Sequence, residues 1–302
     1  MNKIKIITKW LVFILLVSIF IGCPTVEEQK HEPTLFLWKL ETEKTTMYFL
    51  GSTHMANQEL YPLDKQIEAA FAESDILVVE ANIIDVEAQS LLMQMMEKMM
   101  YAKDDSIENH ISPEVLAMVA EFLEKHDFSF EYIKRFKPWA VEQLVITMEY
   151  QALGLDPEWG LDVHFLKSAQ EQGKQILELE GIEGQLNIYD AFSEEIQELS
   201  LKITLIEIAT LEQEVEVVFD LWKSGKSQEL YAYIIKTYEK YPELTPLYDI
   251  LFLKRNKDMT NKLLEMIEQG GKYFVVVGAG HFIGPDSIIE ILRKKHYKIE
   301  QF

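Results

Sequence analysis

Two segments at opposite ends of the chain constrain its fold more than any other feature. TMYFLGSTH (residues 46–54) and KYFVVVGAGH (272–281) follow one plan. Each reads as an apolar strand, then Gly-x-x-His, then a stretch leading into a helix. In open α/β sheets, ligands bind at the carboxyl edge, where strands end and helices begin. Glycine there lets the backbone turn sharply and approach a ligand closely. A histidine three residues on can point into the crevice. The echo therefore predicts that His54 and His281 meet at one sheet edge, with Gly51 and Gly278 shaping the turns.

A third strand end adds a carboxylate. ILVVEAN is short, branched and follows a helical stretch, which suits a buried parallel strand. It ends at Glu80, and a charge in that position must be paired, metal-bound or at an opening of the core. Two histidines and a glutamate form a known ligand set for a divalent ion, leaving positions open for water and substrate. Such an ion would lower the pKa of bound water and polarise a carbonyl. Alternatively, one histidine acts as a general base oriented by Glu80, without a metal. A lone histidine after a glycine turn is most often structural, so the argument rests on the pairing. Of the other histidines, His31 lies in a polar tether, His296 near a surface strand, and His110 and His126 at helix boundaries. His164, beside Asp162 on a helix, is read as structural. No G-x-S-x-G elbow occurs, so a serine hydrolase of that type is not expected.

The rest of the chain reads as one α/β unit whose halves flank helices. A hairpin is predicted at Thr34–Leu40 and Thr46–Leu50, and a helix at Pro62–Glu73. Between about residues 85 and 268 the pattern is mostly helical. Ser112-Pro113-Glu114 is a helix start. Helices are expected near Pro138–Leu153, Gly160–Gln172, Glu194–Ser224, Ser227–Tyr241 and Leu253–Gln269, with KQILELEG as a short strand among them. DSIIEILRKKH and YKIEQF supply a last helix and strand. Met93, Met95, Met96, Met99 and Met100 crowd one segment. They suit either an adaptable buried helix or a flexible lid over an apolar groove.

The N-terminus points to export. Lys3, Lys5 and Lys9 precede the apolar run Trp10–Ile21, too short for a spanning helix of about 20 residues but right for a signal peptide core. Gly22-Cys23 follows and resembles a bacterial lipobox, with Cys23, the chain's one cysteine, as the lipidation site. The plainer readings are an ordinary signal peptide or a short uncleaved anchor. Residues 1–22 are then signal peptide, 23–33 a tether, and 34–302 the folded domain, exported and held on a bacterial membrane by lipid. The remaining chain has no thiol for a disulfide, so its core alone must hold it. Hydrophobic residues make up 48% and charged residues 26%, enough apolar content for such a core. The net charge of −21 argues against nucleic acid as a partner, and against the domain lying flat on anionic lipid.

Several segments occur in an order that resembles the TraB/PrgY/GumN family, which includes the Tiki proteins. They are LFLWKL…TMYFLGSTH, PLDKQIEAAFAESDILVVEAN, FKPWAVEQL, GLDVHFLKSAQEQGKQILELEG…Q and LFLKRNKDMTNKLLEMIEQGGKYFVVVGAGHFIGPDSIIEILRKKHYKI. The resemblance covers about residues 34–300, and RN followed by VVVGAGHFIG is its most specific part. It implies a fold like that of the ChaN and erythromycin-esterase proteins, with two related strand–helix halves and a large helical insertion. It also implies a membrane-associated metalloprotease dependent on manganese or cobalt, zinc being possible, with His54, Glu80 and His281 at its centre. The family's RN pair falls on Arg255 and Asn256, and its G-x-D and L-E segments on Asp162 and Glu180. Arg255 suits a substrate carboxylate or developing oxyanion, or else a salt bridge to Glu80 or Glu180. Asn256 can orient a carbonyl or a ligating side chain. Asp162 can hold its helix start, Glu180 can reach the crevice, and Ser52 and Thr53 can donate near the metal. The expected substrate is a peptide or small molecule. The alternatives are a lipoprotein that sequesters a peptide or haem without chemistry, and a structural lipoprotein with a vestigial site.

Overall fold

The computed structural model describes residues 34–84 and 88–302. The signal segment, Cys23, His31 and the tether lie outside the described residues. So does the start of the helical stretch at residues 85–87.

The core is a six-stranded mixed sheet with β1 (Leu37–Glu41), β2 (Thr45–Ser52), β3 (Ile76–Val79), β4 (Gln175–Glu178), β5 (Gly271–Gly278) and β6 (Ile299–Gln301). Their spatial order is β4-β3-β5-β2-β1-β6. The hairpin β1–β2 is antiparallel, whereas β2, β5, β3 and β4 are parallel neighbours. Leu77, Val275, Val276 and Val277 have no exposed surface. That explains their unbroken apolar runs, because a parallel sheet covered on both faces buries every residue. Each such side chain contributes about 1.5–3 kcal/mol.

Helix α1 (Lys65–Glu73) crosses from β2 to β3, starting at the Asp64 cap and not at Pro62. Helices α2 (Ala88–Met99), α3 (Pro113–Lys125) and α4 (Pro138–Ala152) follow, then α5 (Leu161–Gln172) returns to β4. Phe71 of α1, Phe165 of α5 and Phe274 of β5 form one aromatic cluster, with ring centroids 4.9–5.4 Å apart. After β4 come α6 (Gly181–Asp190), α7 (Glu194–Glu207), α8 (Leu211–Lys223) and α9 (Ser227–Lys240). The long helix expected at Glu194–Ser224 is broken at Ile208–Thr210. A π-turn at Asp249–Lys254 then runs into α10 (Arg255–Gln269), which leads to β5. Helix α11 (Ile288–Lys294) connects to β6.

The helical region is thus interrupted by α5 and β4, and α5 and α10 serve the sheet as crossover helices. Helices α2, α3, α4, α6 and α7 have a core of their own, centred on Val119, Leu123, Trp139, Val141 and Leu144, whereas α9 packs on the sheet core. Crossovers from β2 lead toward β3, while those from β5 lead the other way, toward β6. The gap between the ends of β2 and β5 is therefore the topological switch point, where a crevice forms.

Candidate active site

The register puts the two motif strands side by side, with Ser52 opposite Gly278. On the other side of β5, Val79 pairs with Val276, so Glu80 emerges one residue beyond. His54, Glu80 and His281 then line one pocket with Ser52, Thr53, Arg255 and Gly278.

His54 sits on the loop after β2. Its Nδ1 donates to Asp162 Oδ2 at 2.9 Å. Asp162 is in the first turn of α5 and also accepts from the Ser52 hydroxyl. Asp162, expected to hold its helix start, thus orients the imidazole. Gly160 makes the approach possible, since a Cβ there would lie 2.3 Å from the His54 carbonyl oxygen. Burial disfavours the charged form of His54, but the Asp162 carboxylate outweighs it and lifts the pKa to about 9. Burial likewise opposes ionisation of Asp162, yet the partnership with His54 and Ser52 leaves its carboxyl below the ordinary range. The pair is an ion pair at neutral pH.

His281 is 3% exposed, on the 3-10 turn that follows β5. Its Nδ1 donates to Asn256 Oδ1 at 2.6 Å, and Asn256 Nδ2 donates in turn to the Asp286 carbonyl. That second bond fixes which way the amide faces, and so leaves the lone pair of His281 on Nε2. Burial, reinforced by the Arg255 guanidinium, holds its pKa well below 6.5. The two imidazoles therefore differ in charge: His54 is cationic and His281 neutral.

Arg255 makes the salt bridges that were one of its two expected roles. It binds Glu180 with Nε at 2.8 Å and Nη2 at 2.7 Å, and Glu80 with Nη2 at 2.5 Å. Nη1 reaches the Leu251 carbonyl across the π-turn, a widening of the helix common at functional sites. With these donors engaged, Arg255 is not presented to a substrate anion. Glu80 is equally engaged. Oε1 accepts the Gly278 N–H at 2.7 Å, and Oε2 accepts from Arg255 and Gln185. Gly278 admits this closeness, since a Cβ there would lie 3.0 Å from His54 Nε2 and 3.3 Å from Glu80 Oε1.

The donor set can be compared with a metal site. Both imidazoles have Nδ1 anchored, as ligating histidines do; neutral His281 offers the Nε2 lone pair, whereas cationic His54 must lose a proton before its Nε2 could ligate. Glu80 does not fit as a third ligand in this arrangement, because both its oxygens are taken. Among the described residues no three His, Cys, Asp or Glu side chains are grouped to hold an ion. Thr53 Oγ1 is buried without a hydrogen bond partner, whereas Ser52 turns to Asp162. Glu80 does not orient either histidine; Asp162 and Asn256 do.

A match to the model of the TraB/PrgY/gumN family spans residues 36–301. The chain belongs to this family. Family relatives include the uncharacterised protein YbaP of Escherichia coli (strain K12), 26% identical over 82% of this chain and 87% of that one. YbaP of Shigella flexneri matches with the same figures. An uncharacterised protein of Treponema pallidum (strain Nichols) is 23% identical over 93% of this chain and 89% of its own. No solved structure matches. Among the described residues no helix is long and apolar enough to cross a membrane.

Sequence reasoning missed two parts of this TraB/PrgY/gumN pocket. One is Gln185 of α6, whose Nε2 donates to Glu80 at 3.0 Å and Glu180 at 3.4 Å. The other is the apolar part of the lining that α8 supplies: Leu211, Val215, Val218, Phe219 and Trp222. Their helical spacing was visible in the sequence, but a stripe facing a cavity and a stripe facing a core look alike. Trp222 ties this lining to the site by donating its Nε1–H to the Gly51 carbonyl at 2.7 Å.

Proposed function

We propose that this protein is a hydrolase, peptidase-like in its chemistry, working at the edge of the sheet between β2 and β5. One observation carries the reading. Two anchored imidazoles, one cationic and one neutral, offer Nε2 to the same pocket. Paired titratable groups whose surroundings push their pKa values apart are the usual basis of acid–base division.

His281 Nε2 takes a proton from water as that water's oxygen bonds to the substrate carbonyl carbon. His54 gives its Nε2 proton to the leaving atom as the scissile bond breaks. Asp162 and Asn256 keep each ring in the working tautomer. The Glu80–Arg255–Glu180 triad holds the end of β3 and the start of α10 in register with the glycine turn at Gly278.

A divalent ion belongs to this proposal, manganese or cobalt favoured and zinc possible. His281 would hold it through Nε2, joined by His54 only once its Nε2 proton is lost, so a bound ion would replace the acid role of His54; it would supply a more acidic water. A third ligand would require Glu80 to leave Arg255, so no step above depends on the ion. The ChaN and erythromycin-esterase likeness, the lipid on Cys23 and attachment to a bacterial membrane are further parts of the proposal. Replacement of Cys23 by Ala is expected to release the protein from the membrane fraction.

The test is peptide hydrolysis and metal content for wild type, His54→Ala and His281→Ala. Each variant is expected to lose about 10²–10⁴-fold in rate. A metal bound by wild type and absent from both variants supports the ion as well. Unchanged hydrolysis in both variants overturns the reading. The apolar lining favours a second reading, sequestration of a peptide or haem. A haem titration that shifts the Soret band in wild type but not in His281→Ala would support it.

A further inference from the structure

Helix α8 carries one apolar stripe, and that stripe is closed at its ends and open in its middle. Leu211, Val215, Val218, Phe219 and Trp222 fall at helical spacing and share a face. Leu211 is buried in a cluster with Met55, Ile146, Leu155 and Val163. Trp222 is buried too, donating its Nε1–H to the Gly51 carbonyl and stacking on Phe36 with ring centroids 6.3 Å apart. Between these anchors Val215, Val218 and Phe219 are half-buried, and all three line the pocket. Glu214 lies on the same face but is 3% exposed, with Oε1 accepting from the Thr210 hydroxyl at 2.7 Å. The surface that the middle of α8 gives to the pocket is therefore mainly apolar.

Apolar side chains also flank the histidines. Met55 directly follows His54 and lines the pocket. The Phe252 ring lies 5.5 Å from that of His281. Leu230 and Ile234 of α9 add to the same lining. A substrate whose reacting bond meets the histidines thus brings the group next to that bond against apolar side chains. A charged group there would lose its hydration without a partner to replace it. A bulky apolar group would instead remove apolar surface, its own and the pocket's, from water. The space measures about 1000 Å³, open mouth included, so a large side chain can enter without moving the lining. Valine is stiff about χ1 and the stripe is anchored at both ends, so the lining selects by shape.

Resting on the reading of this pocket as the substrate site, we propose that its substrate is a peptide with a bulky apolar residue, leucine or phenylalanine in size, beside the bond that is cleaved. That residue packs on the middle of α8. Val218 and Phe219 set the size it can have.

The experiment has a binding arm and a cleavage arm. In the first, the full chain is titrated calorimetrically with a blocked pentapeptide of alanine whose central residue is varied. Leucine or phenylalanine at the centre is expected to bind at least tenfold more tightly than alanine, since each methylene in an apolar pocket counts for about tenfold or more. Glutamate and lysine are expected to bind no more tightly than alanine. Val218→Trp fills the middle of the stripe and is expected to weaken the phenylalanine peptide at least tenfold. Phe219→Ala opens it and is expected to move the preference toward tryptophan. Neither position is fully buried, so both variants are expected to fold. Equal or undetectable binding across the series overturns the proposal. So does a preference that neither variant changes. Decanol binding more tightly than every peptide also overturns it, because the lining would then select a lipid chain.

In the cleavage arm, a mixed peptide library is digested and the products are read by mass spectrometry. Bulky apolar residues are expected to be enriched beside the cleaved bonds. Binding needs no turnover, so the two readings fail separately. Selective binding without cleavage sinks the function proposed above and leaves the apolar residue as what the pocket takes. Cleavage without that enrichment does the reverse.

Discussion

At the scale of residues, the site is an arrangement of charges that only partners make tolerable. Arg255 compensates the buried Glu80 and the partly buried Glu180, and removing it would strand both. Breaking a buried pair from one side costs about 3–5 kcal/mol. Arg255→Ala is therefore expected to lose about that much in urea unfolding, well beyond the loss in Arg255→Lys. The histidines give stability a pH dependence with two limbs. His54 is raised from 6.5 to about 9 in the folded state, so its contribution is complete below pH 6.5 and is lost as pH climbs toward 9. A shift of that size corresponds to about 3 kcal/mol. His281 is held neutral, so the unfolded chain takes up a proton that the folded chain refuses. Its limb runs the other way, with stability falling as pH drops below 6.5. Urea midpoints from pH 5 to 9 are expected to peak near pH 6.5. His54→Gln should flatten the alkaline limb and His281→Gln should lessen the acid one. An alkaline limb that survives His54→Gln would contradict the assignment.

At the scale of elements, the strand ends and helix starts place the chemistry. Glycine at 278 lets β5 donate its N–H to Glu80 while His54 lies close above. Gly278→Ala must displace one of the two, at about 1–3 kcal/mol for a methyl in a filled space. The variant is expected to stay folded by circular dichroism, melt lower, and lose at least tenfold in turnover. Helix starts away from the pocket should behave as ordinary caps. Ser112 accepts from the Val115 N–H, so Ser112→Ala should cost about 1 kcal/mol and leave activity alone. The π-turn before α10 is the least regular element, and it could not be read from the sequence. It needs no unusual residue; it arises where Arg255 and Asn256 must face Glu80 and His281 from neighbouring positions on one helix.

At the scale of the whole molecule, two large cores meet at the pocket, beside a small third cluster of Met55, Ile146, Leu155, Val163 and Leu211. One surrounds the sheet; the other fills the space among α2, α3, α4 and α7. Phe252 belongs to the helical core and lies 5.5 Å from the His281 ring, so the two are joined at the pocket. Cavities in the helical core should loosen it without opening the sheet. Leu123→Ala is expected to cost about 2–5 kcal/mol. Its hydrogen exchange should quicken in α3 and α4 first, while β2 and β5 amides stay protected. Uniform loss of protection would mean a single cooperative unit.

Much of this was legible in the chain itself. Apolar runs closed by glycine marked β2 and β5, and the repeated Gly-x-x-His announced that His54 and His281 share an edge. Glu80 was marked because a charge at the end of a buried strand needs a partner. Such features are local: strand length, turn chemistry and burial follow from neighbouring residues. What each side chain touches was not local. That Asp162 and Asn256 orient the histidines, and that Arg255 turns to Glu80 and Glu180, depends on residues brought close by the parallel sheet. So does the fate of the α8 stripe. Helical spacing identifies an apolar face, but only the packing of the other elements decides whether that face meets a core or a cavity.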